Sequence, residues 1–395
     1  MEKQIVILGA GAAGLGANYS LKQKGYNPIV LEKDETYGGL CGNFMIAGFR
    51  FDRFVHFDFT QIDDVFNIFK KSTDMYIHQS NPFNIYNGIW IKHPAQNNLY
   101  PLSEEEKRLI VDDFKKRPKN VDTSSVENFE EWLRLQFGNY FAEHFPLKYA
   151  RKYWMHEARE LETKWMGSKR GCRLYQPTIE EVETGCKSPD TPITYYSKNM
   201  RYPKKGGFKS FFNELVKDID LHTNASGNIS FSYDRLISSL PLPKIVSMLE
   251  SVPGNVREAA EKLKATSGYQ VSIGLKGTNI PPYLWWYIYD EDILPARVYS
   301  PSLKSPDNAP EGCSSLQLEI YCEKDKYTKE ELLAGSVDKL IEQGVIRKED
   351  ILFIYEARKI VRNYLASIGI ETIGRFGEWD YLWSDQALYS GLSIK

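Results

Sequence analysis

The sequence predicts an α/β protein, in which a discontinuous Rossmann-like domain carries an inserted helical domain and an antiparallel β-sheet domain. Three observations support this fold class. A glycine-rich strand–turn–helix stands at the N terminus, charged helical segments fill residues 103–170, and strand signals dominate residues 269–322. We place the Rossmann-like domain at 1–80, 200–265 and 360–395, the helical domain at 99–200, and the sheet domain at 81–98 and 266–360.

The N-terminal segment has the pattern of a dinucleotide-binding βαβ unit. Apolar runs at 4–8 and 28–31 flank a predicted helix at 12–24, and Glu32 ends the second run. Three glycines fit the pattern G-x-G-x-x-G between the first run and the helix: Gly9, Gly11 and Gly14. Such glycines permit a tight turn, a close backbone approach to a pyrophosphate and close helix packing, while the acid binds a ribose diol.

A second glycine pair favours FAD over NAD as the dinucleotide. Lys33 follows the acidic residue, and Gly38, Gly39 and Leu40 come shortly after it. In FAD enzymes of this type, a second glycine pair approaches the same pyrophosphate. We therefore expect these four residues to bind the cofactor together with the first glycine turn.

Composition narrows the classes of partner. The net charge is −2 and the hydrophobic share is 42%, which gives no indication of a nucleic-acid-binding or membrane-surface protein. No apolar run reaches the eighteen residues expected of a membrane span. The five cysteines are scattered without a C-x-x-C pair, so we expect neither a metal site nor a disulfide framework. The N terminus is predicted to be a strand and not a signal peptide, and a cytoplasmic location is the expectation.

The first half of the chain is predicted to be mainly helical beyond the βαβ unit. A helix is expected at 62–71 and a hairpin at 83–94, where Asn87-Gly88 is a strong two-residue turn signal. Charged amphipathic helices follow over 103–170. Three prolines between 173 and 200 indicate a long connection.

The second half is predicted to alternate between the two sheets. We expect a helix at 209–219, strands over 229–240, and helices at 242–250 and 254–264. Further strands and helices are expected at 269–277, 284–289, 296–300, 315–322, 328–344 (a helix), 374–381 and from Ser384 (the last helix).

Several longer segments resemble one protein family in order and spacing. They lie at 38–56, 93–98, 129–138, 148–170, 201–207, 284–297 and 374–387. They are similar to UDP-galactopyranose mutases, especially the eukaryotic-type branch, and the resemblance extends over most of the chain.

The resemblance implies a flavin-dependent nucleotide-sugar mutase. Members of that family interconvert the pyranose and furanose forms of UDP-galactose, with N5 of reduced FAD as the nucleophile. The cycle is redox-neutral, so NAD(P)H or another reductant serves only to reduce the flavin beforehand. The implied partner is a nucleotide-sugar substrate, and a homo-oligomer is compatible with the sequence.

The resemblance also implies roles for individual residues. Catalytic positions are Arg297, Tyr364 and Tyr381 at the diphosphate or sugar, and His56 beside the flavin. Cofactor contacts are Arg375, Asp385 and Gln386, in addition to the glycine turns. Substrate-binding positions are Gln96, Asn97, Trp154, Lys169, Arg170, Trp285 and Tyr287.

Some positions depart from the family pattern. Phe54-Val55 stand where the family has Gly-Gly before the histidine. Ala95 replaces an aromatic residue that stacks on uracil, Ala150 replaces an asparagine, and Lys169 replaces an arginine, with Arg170 beside it. Because the last three changes lie on the nucleotide or sugar side, a dTDP-linked, GDP-linked, deoxy or N-acetylated sugar is an alternative substrate.

Two other functions are consistent with the same glycine pattern. One is an oxidising flavoenzyme of the amine oxidase or protoporphyrinogen oxidase type. The other is a binding protein, because Rab GDP-dissociation inhibitors share this architecture without using FAD. Arg297 and the predicted tyrosines argue against the first, and the intact Glu32 and Gly39 argue against the second.

Overall fold

A computed structural model gives the tertiary structure. It describes residues 4–118, 126–163, 174–192, 199–225, 230–263, 265–323, 326–360, 370–372 and 384–392, with side chains outside 356–386 and Ser390.

The described strands, in chain order, are β1 Ile5–Leu8, β2 Ile29–Leu31, β3 Asn43–Ile46, β4 Phe49–Asp52, β5 Met75–Gln79, β6 Phe83–Tyr86, β7 Ile89–Lys92, β8 Asn199–Pro203, β9 Asp220–His222, β10 Arg235–Ser238, β11 Ser267–Lys276, β12 Trp285–Ile288, β13 Arg297–Tyr299, β14 Cys313–Tyr321, β15 Ile351–Ile360 and β16 Ile370–Thr372.

The described α-helices are α1 Ala12–Gln23, α2 Asp63–Ser72, α3 Glu104–Lys115, α4 Phe129–Phe137, α5 Asn139–His144, α6 Pro146–Trp154, α7 Ile179–Lys187, α8 Leu242–Val246, α9 Gly254–Glu261, α10 Pro301–Lys304, α11 Lys329–Leu333, α12 Lys339–Glu342 and α13 Ser384–Leu392.

A five-stranded parallel sheet forms the Rossmann-like part of the molecule. Its order is β16-β10-β1-β2-β9, so Ile5 of β1 pairs with Arg235 of β10, and Ile29 of β2 pairs with Asp220 of β9. The central strand β1 is almost wholly apolar and buried, as a strand covered on both faces requires. This sheet confirms the predicted α/β class and the return of the chain to the N-terminal unit.

A separate seven-stranded sheet has the order β15-β11-β14-β13-β12-β6-β7. Its neighbours run antiparallel except for β12 and β6, which are parallel. One face is apolar and packs with Leu332, Val337 and Leu340 of the following helical segments. The other face carries polar side chains, and this alternation positions the candidate site.

Helices α3 to α7 enclose a core of their own. It includes Phe114, Trp132, Phe137 and Phe145, all of them buried, and it reaches Tyr289 at the end of the seven-stranded sheet. The helical character predicted for 103–170 is confirmed for the described residues. The division of the chain into three domains with the stated boundaries remains a prediction.

Three predicted elements need correction. The connection over 173–200 contains α7, which begins at a capping box formed by Thr178 and Glu181, and it ends in β8. The expected helix at 209–219 is a short 3₁₀ helix, Phe208–Phe212, followed by turns, because three phenylalanines are drawn into the core. Residues 230–233 of the expected strand are irregular. The strand expected at 374–381 lies outside the described residues.

None of the helices in the described ranges combines the length and the apolar character that crossing a bilayer would require.

Candidate functional site

The first glycine turn has the geometry that its sequence predicts. Gly9 has a φ of +95°, and its N–H donates to the carbonyl oxygen of Leu31 at 2.7 Å. A Cβ on Gly14 would overlap the carbonyl oxygen of Gly9, so the helix can approach the turn only through a glycine. A Cβ on Gly11 would meet nothing within 4 Å. The turn is therefore packed tightly on one side and open where α1 begins.

Glu32 lies buried at the end of β2, 6% exposed. Its Oε2 accepts a hydrogen bond from the N–H of Ala10 at 2.8 Å, and its Oε1 accepts one from the N–H of Asp34 at 3.0 Å. The carboxylate thus ties the first glycine turn to the end of β2, beside the position where a ribose would lie.

The second glycine pair lies directly against the first turn. Gly38 and Gly39 have φ values of +110° and +53°, and the N–H of Gly38 donates to the carbonyl oxygen of Ala10 at 2.9 Å. A Cβ on Gly39 would lie 3.3 Å from the Cα of Gly11. Both glycine turns therefore converge on the N terminus of α1, where backbone N–H groups and the helix dipole favour an anion.

The last helix closes this side of the molecule. A Cβ on Gly16 of α1 would meet the backbone of Leu388, and a Cβ on Gly391 would overlap that of Ala13, so α1 and α13 pack backbone to backbone. Asp385 and Gln386 lie in the first turn of α13, and their side chains lie outside the described part. The open space at Gly11, the converging turns and Glu32 together fit the pyrophosphate and ribose of a dinucleotide.

A row of polar residues crosses the second sheet. Tyr287 on β12 stands opposite Arg297 on β13, and Arg297 stands opposite Glu319 on β14. Asn84 and Gln270 continue the row on the adjoining strands. Because directly paired residues project to the same face of a sheet, remote parts of the sequence meet in one line of polar groups.

Two nitrogens of the Arg297 guanidinium donate to the same carboxylate oxygen of Glu319. Arg297 Nη2 lies 2.6 Å and Nε 3.1 Å from Oε2 of Glu319, which is 2% exposed. Burial lowers the pKa of Arg297, but Glu319 and the neighbouring tyrosines together outweigh burial and hold that pKa well above its usual value. Tyr321 Oη also donates to Glu319 Oε2, at 3.0 Å.

Tyrosines from α6 and from the sheet surround this pair. The rings of Tyr149 and Tyr287 lie 5.5 Å apart, and those of Tyr153 and Tyr321 lie 4.7 Å apart. Burial raises the pKa of the Tyr149 phenol well above its usual value, and burial together with Glu319 does the same for Tyr321. These phenols therefore remain protonated and add no charge: Tyr149 can donate a hydrogen bond, whereas the O–H of Tyr321 is directed to Glu319 and its oxygen can accept one.

Helix α6 is anchored to the strand connection that leads to Arg297. Lys152 Nζ donates to the carbonyl oxygens of Ile288, Asp290 and Pro295 at 2.9, 2.8 and 2.8 Å. Burial lowers the pKa of Lys152 to about 7. One amine thus fixes the β12–β13 connection relative to the tyrosines of α6.

The predicted substrate residues on the helical side are only partly brought together. Gln96 Nε2 donates to the carbonyl oxygen of Tyr175 at 2.7 Å, and Asn97 is buried beneath α7, where a Cβ on Gly185 would overlap its carbonyl oxygen. Trp154 is half-buried and its ring lies 4.9 Å from that of Tyr153, next to the Arg297 cluster.

The alanines that depart from the family pattern do not face a cavity. Ala95 is 0% exposed and Ala150 is 2% exposed, and both belong to the core of the helical part. Any base-stacking role for position 95 is therefore excluded in this conformation, because neighbouring apolar side chains cover it.

His56 lies between the two regions. Its Nε2 donates to the carbonyl oxygen of Leu40 at 3.1 Å, and its ring centroid lies 4.9 Å from that of Phe208. The neighbouring Val55 N–H donates to Glu319 Oε1 at 3.3 Å. The segment that replaces the family's Gly-Gly thus links the second glycine turn to the polar row.

Trp285 is on the same face as Tyr287, as the alternation predicts, but the two side chains have different surroundings. Trp285 is buried against Phe57 in the core of the Rossmann-like part, with ring centroids 5.7 Å apart. Tyr287 is half-buried beside His93, at 4.9 Å between centroids. Only Tyr287 of these two joins the Arg297 cluster.

Five predicted site residues lie outside the described part of the chain: Tyr364, Tyr381, Lys169, Arg170 and Arg375. Their roles stay predictions. Within the described ranges, no group of three or more His, Cys, Asp or Glu side chains is placed to bind a metal ion.

Sequence reasoning missed Glu319, Tyr149, Tyr153, Tyr321, Lys152 and Gly185. The strand alternation over 313–321 could have placed Glu319 and Tyr321 on one face, but its register with β13 was not available from the sequence. The spacing of Tyr149 and Tyr153 is helical and is equally typical of a helix core.

Comparisons with known proteins agree with this geometry. Residues 7–72 match the family described as NAD(P)-binding Rossmann-like domain. Protoporphyrinogen oxidase 2, chloroplastic/mitochondrial, of Arabidopsis thaliana is 26% identical over 149 residues, which cover 34% of this chain and 29% of that protein. The chain spans at most about half the length of the curated relatives it matches.

Solved structures match over nearly the whole chain. A reduced UDP-galactopyranose mutase superposes with a TM-score of 0.88 at 23% identity, covering 99% of this chain and 94% of that one. A putrescine oxidase bound to putrescine superposes with a TM-score of 0.65 at 14% identity, covering 99% and 98%. The chain therefore has the fold that this mutase and this oxidase share, with a Rossmann-like dinucleotide-binding segment at its N terminus.

Proposed function

We propose that this protein is a flavin-dependent nucleotide-sugar mutase that interconverts the pyranose and furanose forms of UDP-galactose or a related nucleotide sugar. The observation that carries the proposal is the Tyr287–Arg297–Glu319 row, with the phenols of Tyr149 and Tyr321 beside it.

The first requirement is a flavin site, and the glycine turns supply its framework. Gly11 leaves open space at the start of α1, Gly39 lies against it, and Glu32 is positioned for a ribose. The close similarity in fold to a reduced UDP-galactopyranose mutase supports FAD as the dinucleotide. Reduced FAD, when bound, supplies the nucleophile for the anomeric carbon.

The second requirement is a site that holds a departing diphosphate. Arg297 presents a planar guanidinium that can bind phosphate oxygens at two points, and its charge does not depend on pH in the physiological range. A cation at this point stabilises the negative charge that develops as the sugar–diphosphate bond breaks. Glu319 keeps the guanidinium aligned and balances its charge while no diphosphate is present.

The third requirement is hydrogen bonding to a sugar. The protonated phenol of Tyr149 can donate to a sugar oxygen, whereas the oxygen of Tyr321, whose own hydrogen goes to Glu319, can accept from a sugar hydroxyl. Neither phenol introduces a charge that would compete with Arg297. Aromatic rings on two sides also suit the apolar face of a pyranose or furanose ring. Ala95 and Ala150 lie in the core of the helical part and therefore do not themselves select the base or the sugar.

One alternative has an observation in its favour. The charge of Arg297 is already matched by Glu319, and a neutral aromatic pocket also suits an organic substrate that is oxidised. An oxidase of the amine or protoporphyrinogen type would then consume oxygen, consistent with the similarity to a putrescine oxidase.

The deciding experiment is chromatographic. Purified protein, reduced with dithionite, is incubated with UDP-galactofuranose and, in parallel, with dTDP-, GDP- and N-acetylated sugars, each beside an oxidised control. The proposal expects ring interconversion only in the reduced samples, and its loss in an Arg297→Met variant. Oxygen consumption with an amine or a porphyrinogen, and no interconversion of any sugar despite bound and reducible FAD, would instead establish the oxidase.

A further inference from the structure

Two cationic side chains from outside the βαβ unit contact the second glycine turn, residues 38–42, or the segment that leads into it. Arg53, which follows β4, lies with Nη1 2.7 Å from Asp34 Oδ2 and 3.3 Å from the carbonyl oxygen of Gly39. The backbone N–H of Arg53 donates to the carbonyl oxygen of Gly42 at 2.8 Å. Arg53 therefore contacts both ends of the turn and the residue that follows Glu32 and Lys33.

Lys209 contacts the segment that leads into the same turn. Its Nζ donates to Thr36 Oγ1 and lies 3.9 Å from the centroid of the Tyr37 ring. Its Cγ lies 3.6 Å from the position that a Cβ on Gly38 would occupy. The segment from Asp34 to Gly39 is thus attached to two elements that are distant in sequence.

The turn needs such support because its backbone is unusual. Gly38 and Gly39 both have positive φ, and glycine loses more conformational entropy than other residues when it is fixed. The turn can present its backbone to an anion at Gly11 only when this conformation is maintained. Contacts that are already formed before binding reduce the entropy that a ligand must offset.

The charges around the turn favour an anion. Lys33 Nζ lies 3.2 Å from Asp34 Oδ1, so Asp34 contacts both Lys33 and Arg53. Burial and the nearby Arg53 lower the pKa of Lys209. The carboxylates of Glu32 and Asp34 balance two of the three cations Lys33, Arg53 and Lys209, which leaves one positive charge in excess near a turn that also approaches the N terminus of α1. The ligand chemistry that this arrangement fits is a pyrophosphate.

We propose that Arg53 and Lys209 are positioning residues for the pyrophosphate of the dinucleotide: they fix the second glycine turn against Gly11 and make the surroundings electropositive. This inference rests on the dinucleotide site of the proposed function and on no particular substrate. It assigns to Arg53 and Lys209 the affinity for phosphates, as distinct from the affinity for the adenosine moiety.

The test compares ligands with and without phosphates. Flavin-free full-length protein is titrated calorimetrically with FAD, ADP and adenosine, at low and at high sodium chloride. The variants are Arg53→Met and Lys209→Met, with Lys262→Met, at the exposed residue that follows α9, as the matched control. We expect Arg53→Met and Lys209→Met each to bind FAD and ADP about tenfold more weakly, in keeping with one lost charge-assisted contact. Adenosine binding should not change, and the salt dependence of ADP binding should become shallower.

The outcomes separate this inference from the cofactor assignment. If wild-type protein binds FAD, and Arg53→Met and Lys209→Met bind ADP as tightly as the control, the roles of Arg53 and Lys209 are wrong and the assignment of the cofactor site is retained. Equal weakening of ADP and adenosine would also overturn it, because that result indicates general loss of structure. If wild-type protein binds neither FAD nor ADP, the cofactor assignment itself fails.

Conservative variants keep the test decisive if a methionine variant fails to fold. Arg53→Lys and Lys209→Arg retain the charge while they change the hydrogen-bond geometry. We expect ADP affinity between those of the wild type and the methionine variants, with the salt dependence preserved. ADP affinity equal to that of the wild type in both variants would contradict the role assigned to the contacts of Arg53 Nη1 with Asp34 and Gly39.

Discussion

The guanidinium of Arg297 contacts the buried carboxylate of Glu319 through both Nε and Nη2, at 3.1 and 2.6 Å. The two residues are 22 positions apart and face each other on adjacent strands. Their pairing means that the cation proposed for substrate binding is held in place, and neutralised, before any substrate arrives.

Substitutions of Arg297 and of Glu319 should change the affinity for a diphosphate in opposite directions. Arg297→Met removes the cation, and we expect UDP to bind about tenfold more weakly. Glu319→Gln removes the competing negative charge while it keeps an acceptor, so UDP should bind several-fold more tightly. Isothermal titration with UDP measures both, with Lys262→Met as the control. Unchanged affinity in both variants would place the diphosphate elsewhere.

Two glycines of the first turn should fail in different ways when they become alanine. In Gly14→Ala the new Cβ overlaps the Gly9 carbonyl, so the unfolding midpoint of flavin-free protein should fall. In Gly11→Ala the Cβ meets no protein atom within 4 Å, so that midpoint should stay unchanged while FAD binding is lost. Differential scanning calorimetry and flavin content distinguish the two effects. Normal flavin content in Gly11→Ala would contradict the position assigned to the pyrophosphate.

Gly185 should be required for the packing of α7 over residues 95–97. Alanine there would overlap the carbonyl oxygen of Asn97, and we expect a loss of about 2 kcal/mol or more in the free energy of unfolding. Gly254→Ala on α9 is the matched control, since nothing lies within 4 Å of its Cβ position. Urea denaturation measures both. Equal stability of the two variants would show that α7 can shift without cost.

Lys152 should contribute to the geometry of the substrate side and to stability. Lys152→Met leaves the carbonyl oxygens of Ile288, Asp290 and Pro295 without their shared donor, which we expect to cost about 2 kcal/mol in urea denaturation. Since the β12–β13 connection leads to Arg297, UDP binding should weaken as well. Wild-type UDP affinity in a destabilised variant would limit Lys152 to a structural role.

Lys304 should make stability depend on pH in the alkaline range. It is 0% exposed, its Nζ lies 3.5 Å from Asp52 Oδ2, and burial lowers its pKa to about 8 from a usual value of 10.5. Between these two values the unfolded chain binds the proton and the folded chain does not, so stability should rise as pH increases through this window, by roughly 2 kcal/mol.

The measurement for Lys304 is the free energy of unfolding at several pH values from 7.5 to about 10. In Lys304→Met the rise attributed to this amine should disappear, whereas Lys262→Met should keep it. An identical pH profile for wild type and Lys304→Met would mean that the buried amine does not titrate in this window.

The sequence by itself determined the parts of this protein that depend on local pattern. The spacing of Gly9, Gly11 and Gly14 between two apolar runs predicted the βαβ unit, because a tight turn and a close helix approach require residues without Cβ atoms. Asn87-Gly88 predicted the hairpin, whose two central residues have positive φ. Alternation placed Trp285 and Tyr287 on one face.

Only the tertiary structure decided which remote residues meet. The pairing of Arg297 with Glu319 depends on strand register, and a shift of one residue would have turned every side chain to the opposite face. The burial of Ala95 depends on close packing of α7 through Gly185, which no local pattern marks. The contacts of Arg53 and Lys209 with the segment around the second glycine turn likewise join parts of the chain whose sequence patterns do not predict that they meet. Local conformation follows from neighbouring residues, whereas the site is formed by contacts between segments that folding brings together.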